Sequence, residues 1–302
     1  MSGVIVTRGL TKRYGNKVVV DRIDLEVPQG AIYAFLGDNG AGKTSTIKVL
    51  VGLHPADGGT AKVLGQDCWA NGVRLRHRVG YVPERPRFYE WMTVREIGWF
   101  TASFHHSGFV ERFNDWCHRL GLDAQKRLKE LSKGGYARVG LALALAPDPE
   151  VLILDEPTSG LDLLTRRDFL TSMVDMAGNG RTILISSHGI SEVERIASHV
   201  GLICHGKLLF SGPIEDVKSR FSRIQLRCDG LLPDMSNIGH VLNRQTLGRQ
   251  HDILIQDADS AALAELRGLA DFSEYEESVP GLEDIYAAVM RNQTVATEGV
   301  PV

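Results

Sequence analysis

The chain has 302 residues, 43% of them hydrophobic and 24% charged, with a formal net charge of −3. That length suits one large domain, or a large and a small one, with ample core. No long basic run is present, so no nucleic-acid partner is expected. No uncharged apolar run reaches the ~18–20 residues of a membrane span, and Met1 to Tyr14 is too polar for a signal peptide.

In chain order, Gly3 to Leu10 and Lys17 to Val27 read as strands around the turn Tyr14-Gly15-Asn16. Ala31 to Leu36 reads as a strand that runs into Gly37, Asp38, Asn39, Gly40, Ala41, Gly42, Lys43 and Thr44, the phosphate-cradling pattern G-x-x-x-x-G-K-[ST]. The apolar spacing of Thr46, Ile47, Leu50 and Val51 predicts a helix directly after it. In that context the glycines let backbone N–H groups turn toward phosphate oxygens, and the helix aims its positive end at the same place. Lys43 is expected to reach the β- and γ-phosphates and Thr44 to ligate Mg²⁺. Ser45 is a candidate for the α-phosphate, or simply a helix-start serine. The loop alone predicts that the chain binds a nucleoside triphosphate.

Thr60 to Leu64 is a short strand, and the block from 85 to 130 reads mostly helical, opening on the capping box Thr93-Val-Arg-Glu96. Nine of the chain's 21 aromatic residues fall between Phe88 and Trp116, as a compact helical core or, in part, as a docking surface. The apolar runs 151–154 and 182–186 suit strands of a parallel sheet covered on both faces. Val200 to Cys204 and Lys207 to Phe210 flank His205-Gly206 like a hairpin. The cysteines Cys68, Cys117, Cys204 and Cys228 are scattered without a C-x-x-C pair, as in a reducing compartment. Beyond Gly212, 224–227 and 252–256 read as strands, and Ala261 to Leu269 and Gly281 to Arg291 as helices. This is a small α+β appendage of about 75 residues, followed by a polar tail.

The strand at 151–154 ends in Asp155 and Glu156, at the end where parallel sheets bind ligands. Asp155 is expected to hold Mg²⁺ through water. Glu156, pointing the opposite way along an extended chain, is expected to polarise an attacking water.

Leu131-Ser132-Lys133-Gly134-Gly135 lies 155 − 131 = 24 residues before Asp155. Ser159-Gly160-Leu161-Asp162, Ser187-His188, Tyr14 and Tyr81-Val82-Pro83-Glu84 complete an ordered set over roughly residues 3–215. Together with the phosphate loop this set resembles the nucleotide-binding domain of the ATP-binding cassette (ABC) family. Its elements are similar to the signature L-S-G-G-Q, the dimer-contact loop, the switch histidine, the adenine-stacking aromatic and the glutamine loop. The resemblance implies an α/β P-loop NTPase cassette over 1–215, with a parallel-sheet core, an antiparallel β subdomain and a helical subdomain at about 85–150. An accessory α+β domain is expected at 216–292 and a tail at 293–302.

It also implies ATP and Mg²⁺ as ligands and ATP hydrolysis as the reaction. Two ATPs are expected between two ATP-binding subunits, identical or homologous, with Ser132, Lys133, Gly134 and Gly135 completing the partner's site. Asp162 is expected at the dimer contact, His188 at the γ-phosphate, and Glu84 beside the metal with Thr44 and Asp155. The stroke is expected to pass from the helical block to a separate integral-membrane permease, placing the chain on the cytoplasmic face of the membrane. Tyr14 is expected to stack on the base, although an exposed turn tyrosine needs no such role. Glu84 in place of glutamine, Lys133 in place of glycine and Gly135 in place of glutamine depart from the general pattern. With the segment Pro280-Gly-Leu-Glu-Asp-Ile-Tyr286, these features resemble the bacterial export-type branch. The rival readings are a soluble ABC ATPase and a low-turnover, nucleotide-gated regulatory module.

Overall fold

The structure, a computed structural model, describes residues 3–105, 107–228, 232, 235, 237–268 and 272–298. The chain divides into two compact units, Met1–Ser211 and Gly212–Val302, so the break falls a few residues before the expected boundary at 215. The first unit begins with β1 (Ile5–Tyr14), β2 (Lys17–Val27), β3 (Ile32–Leu36), α1 (Lys43–Leu50), β4 (Gly58–Val63), β5 (Gln66–Asp67), α2 (Gly72–Leu75) and β6 (Val79–Val82). It continues through α3 (Val94–Ala102), α4 (Phe109–Arg119), α5 (Lys133–Leu145), β7 (Val151–Asp155), α6 (Leu163–Gly178), β8 (Thr182–Ser187), α7 (Ile190–Glu194), β9 (His199–Cys204) and β10 (Lys207–Pro213).

An antiparallel sheet of order β2-β1-β4-β5 lies at the start of the chain. β1 runs on to Tyr14, past the expected end at Leu10. A register shift between Thr7 and Leu10 spans Gly9, whose φ of +57° lets the strand bulge and continue. The second sheet has the order β10-β9-β3-β8-β7-β6, and β9, β3, β8, β7 and β6 are parallel. Every residue of β3, β7 and β8 is buried, as strands covered on both faces require. Parallel strands end on one edge, and the register sets Leu36 beside Ser187 and Asp155 beside Ser186. The phosphate loop and the carboxylates therefore emerge together.

The helical block has its own core of Val94, Ile97, Phe109, Phe113, Leu128 and Val139. Its entry is the expected capping box: Glu96 N–H donates to Thr93 Oγ1 at 3.2 Å, and Thr93 N–H donates to Glu96 Oε2 at 2.8 Å. The aromatics of this block differ in burial. Phe109 and Phe113 are buried, whereas Tyr89, Trp91, Trp99, Phe100 and Phe104 are exposed.

The second unit holds α8 (Ile214–Lys218), β11 (Phe221–Cys228), β12 (His240–Leu247), β13 (Gln250–Gln256), α9 (Ser260–Gly268), β14 (Phe272–Ser278) and α10 (Leu282–Glu298). Its antiparallel sheet has the order β12-β13-β11-β14. With the crossover from β11 to β12 and with α9 between β13 and β14, this is the strand arrangement of a ferredoxin-like, split βαβ unit. Sequence reading found only the central strands β11 and β13. The other two are edge strands, polar and largely exposed, and carry no apolar run to betray them. α10 buries Leu282, Ile285, Ala288 and Val289, as its amphipathic spacing predicts. It runs to Glu298, so most of the expected tail is helical; residues 299–302 lie outside those described. Among the described residues no helix is long and apolar enough to cross a membrane.

Gly98 of α3 packs closely on α4, because a Cβ there would lie 2.3 Å from Phe113 Cε1. Gly98→Ala is expected to destabilise this block by about 1–3 kcal/mol through overpacking. Urea denaturation followed by tryptophan fluorescence checks this, and an unchanged midpoint would contradict the packing account.

Candidate nucleotide-binding and hydrolysis site

The loop between β3 and α1 needs its glycines for two reasons. At Gly37 a Cβ would lie 2.4 Å from the Ile203 carbonyl oxygen, so only glycine lets the loop pack on β9. Gly40 and Gly42 have φ values of +84° and +114°, a region closed to most side chains. Ala41 is buried and fixes the loop from behind, its carbonyl accepting Gly206 N–H at 2.9 Å. The remaining expected residues, Asp38, Asn39, Gly40, Gly42, Lys43, Thr44 and Ser45, line one cleft of about 350 Å³ with Glu84, Arg85 and Glu156.

Lys43 is only 5% exposed, and its Nζ donates to the carbonyls of Gly37 at 2.5 Å and Asp38 at 3.3 Å. It also pairs with Glu156 Oε1 at 3.0 Å. Glu156 Oε2 meets His188 twice, accepting from the backbone N–H at 3.3 Å and lying 2.7 Å from Nδ1. One buried carboxylate thus links the loop lysine to His188, whose side chain is 55% exposed.

The extended conformation expected for Glu156 is not what the structure has. Its φ is +48°, in the left-handed region that costs a non-glycine residue on the order of 1–3 kcal/mol. The neighbouring strand holds it there: Glu156 N–H donates to Ser186 Oγ at 2.9 Å and lies 3.2 Å from the Ser186 carbonyl. The same Oγ donates to Asp155 Oδ1 at 2.7 Å. Ser186 therefore orders both carboxylates. Sequence reading missed it, although the serines that end the apolar run of β8 were the available signal. Burial raises the pKa of Asp155 above the ordinary carboxylate range, hydrogen bonds from Ser186 and Thr44 oppose that rise, and the charges of Glu156 and Glu84 add to it.

The other expected residues sit elsewhere on the unit. Ser132 is the N-cap of α5, its Oγ accepting Gly135 N–H at 3.1 Å. Lys133 lies against Gly160 in a separate cleft of about 470 Å³, which Glu84 also lines and into which no phosphate-loop residue reaches. At Gly134 a Cβ would stand 2.9 Å from Thr165 Cγ2, so a glycine is needed where α5 meets the start of α6. Asp162 caps α6, accepting from Thr165 N–H at 3.0 Å and Thr165 Oγ1 at 2.7 Å, and these bonds lower its pKa. Tyr14 closes β1 and is exposed. Arg166, also missed in the sequence, pairs with Glu192 and donates to the Leu161 carbonyl, tying the 159–162 loop to the helix after His188.

The ABC transporter family model matches residues 20–159. A shorter match, over residues 130–194, is to an AAA domain family described as a putative AbiEii toxin of a type IV toxin–antitoxin system. The bacitracin transport ATP-binding protein BcrA of Bacillus licheniformis is 39% identical over 223 residues, 73% of each chain. The chain belongs to the ABC transporter family, as an ATP-binding subunit. The probable multidrug ABC transporter ATP-binding protein YbhF of Escherichia coli is 34% identical over 72% of this chain, which spans 38% of that protein. An uncharacterised ABC transporter ATP-binding protein of Bacillus subtilis, YcbN, is 29% identical over 98% of this chain and all of its own length. A solved ATP-binding subunit of an ABC transporter, 26% identical, superposes with a TM-score of 0.66 over 72% of this chain and 92% of that one. This ABC subunit is an ATPase with the P-loop cassette fold.

Because Ser186 orders both carboxylates from behind, Ser186→Ala is expected to lower kcat for ATP hydrolysis on the order of tenfold, the worth of one net hydrogen bond. Nucleotide affinity should stay within about threefold. A phosphate-release assay beside nucleotide titration checks this, and wild-type kcat would contradict the ordering role.

Proposed function

We propose that the chain is the ATP-hydrolysing subunit of an exporter. It works as a pair of ATP-binding subunits, identical or homologous, under an integral-membrane permease at the cytoplasmic face. The observation that carries this reading is Glu156, buried between Lys43 and His188 at the edge of the sheet where the phosphate loop ends. The bacitracin and multidrug names of its relatives support the export assignment.

In the proposed cycle the phosphate loop and Lys43 cradle the triphosphate, and Tyr14 stacks on the base. Glu156 accepts a proton from water as the water oxygen bonds to the γ-phosphorus. The β–γ bridging oxygen leaves on ADP. His188, held by the same carboxylate, donates toward the γ-phosphate. Ser132, Lys133, Gly134 and Gly135 open α5, and Lys133 lines a cleft that no phosphate-loop residue of its own chain lines, as a signature that serves the partner's nucleotide would. Asp162 stands at the start of α6 beside them, at the proposed dimer contact.

The residues fit a hard divalent cation. Thr44 lies close enough to Asp155 to lower its pKa, so two oxygen donors are near one another, and Glu84 lines the same cleft as Thr44. Among the described residues no three His, Cys, Asp or Glu side chains cluster closely enough to hold an ion alone. The oxygen donors of Thr44, Asp155 and Glu84 suit Mg²⁺, which keeps waters and takes ligands from phosphates. Bound there, it supplies charge neutralisation on the phosphate oxygens.

The permease is proposed to dock on the groove of about 390 Å³ between the sheet unit and the helical block, which is lined mainly by apolar residues such as Leu53, Val79, Phe88 and Leu143. The exposed aromatics on α3 continue this apolar character. Thr101→Arg, which puts a charge into the groove, is expected to abolish co-purification with the permease while ATP binding persists. Retained co-purification would move the docking site elsewhere. Glu156→Gln keeps the shape but removes the base, so phosphate release should fall at least about 100-fold and an ATP-bound dimer should accumulate by light scattering. A mutant that hydrolyses like wild type would overturn the assignment of Glu156.

A further inference from the structure

The loop that follows α1 carries a group that sequence reading did not single out. His54 Nδ1 lies 2.9 Å from the Tyr14 hydroxyl, and the two rings meet edge to face with centroids 5.9 Å apart. Lys12 places its ammonium over the same tyrosine ring, 5.5 Å from the centroid. Lys12 is fixed by Asp57 Oδ2 at 2.9 Å and by the Pro55 carbonyl at 2.9 Å, and Asp57 also accepts Arg13 N–H at 2.6 Å. Two short segments, 12–14 and 54–57, thus clamp an aromatic ring that is itself 44% exposed.

A turn tyrosine with no task does not need its hydroxyl, its edge and one face held at once. Fixing it costs side-chain entropy, and an exposed hydrogen bond returns little stability. The clamp makes physical sense if the remaining face must be presented in one orientation. His54 N–H also bonds back to the Lys48 carbonyl of α1, and α1 begins with Lys43. One rigid helix therefore sets the separation between the phosphate loop and the tyrosine ring. Burial, with the nearby charges of Lys48 and Lys12, lowers the pKa of His54, so a neutral imidazole is available to accept the hydroxyl proton.

We propose that His54 is a positioning residue for base recognition: with Lys12 it locks the Tyr14 ring as a stacking platform at a fixed distance from the phosphate loop. The role rests on the reading of Tyr14 as the base-stacking residue, and it reaches the nucleotide only through that ring. Its signature is a loss confined to ligands that carry a base, because a ligand made of phosphates alone never meets the platform.

Calorimetric titration of the full chain with ADP and with inorganic pyrophosphate tests this. His54→Ala is expected to raise the Kd for ADP about three- to tenfold, from the loss of one hydrogen bond and its preorganisation, and to leave pyrophosphate within about twofold. Tyr14→Phe, which removes the hydroxyl alone, should match it, and the double variant should be no weaker than either single one. His54→Gln, which keeps an acceptor, should recover part of the loss. If Tyr14→Ala weakens ADP while His54→Ala does not, the positioning role is overturned and the platform stands. If His54→Ala weakens both ligands equally, the residue supports the fold rather than base recognition, and the inference also fails. If Tyr14→Ala leaves ADP unchanged, the platform itself is refuted and the inference falls with it.

Discussion

The ion pair between Lys43 and Glu156 is the constraint around which this site is arranged. Both side chains are more than nine-tenths buried, and a buried charge is tolerable only when paired and hydrogen-bonded. Lys43 meets that need with a carboxylate and two carbonyls of its own loop. A polyphosphate offers the ammonium more negative charge at equally short range, so its arrival competes directly with Glu156. Phosphate binding then frees the Glu156 carboxylate from Lys43. The carboxylate that loses Lys43 still keeps His188 at its other oxygen.

The fold exists to make that pairing possible between residues far apart in sequence. β3 delivers Lys43, β7 delivers Asp155 and Glu156, and β8, lying between them, delivers Ser186 and His188. Because the three strands are parallel and fully buried, their ends are set by register and not by flexible loops. Ser186 then uses one hydroxyl to steady Asp155 and to hold Glu156 in a backbone conformation it would not choose unaided. Local strain held in place by a rigid neighbour is a common mark of a functional site.

Much of this was legible in the sequence, for identifiable reasons. The phosphate loop shows itself because glycines demanded by close packing and positive φ stand at fixed spacing beside a lysine and a threonine suited to phosphate and its cation. The buried parallel strands show as continuous apolar runs. The helical entry at Thr93 is a local pattern with a local cause, and it is present. What was hidden depends on partners distant in sequence. Nothing near Glu156 signals its left-handed backbone, which comes from Ser186 on another strand. His54 gains meaning only when the bulged β1 carries Tyr14 to it. The edge strands β12 and β14 stayed hidden because exposure removes the hydrophobic pattern. The end of α10 stayed hidden because polar residues can extend a helix already anchored by Leu282, Ile285 and Val289.

The central claim is that nucleotide phosphates bind where Lys43 now pairs with Glu156. An experimental structure of the chain with ADP tests it most directly. The account predicts the β-phosphate within hydrogen-bond distance of Lys43 Nζ and the N–H groups of residues 40–44, with Lys43 withdrawn from Glu156. ADP seated away from this loop, with the Lys43–Glu156 pair unbroken, would contradict it.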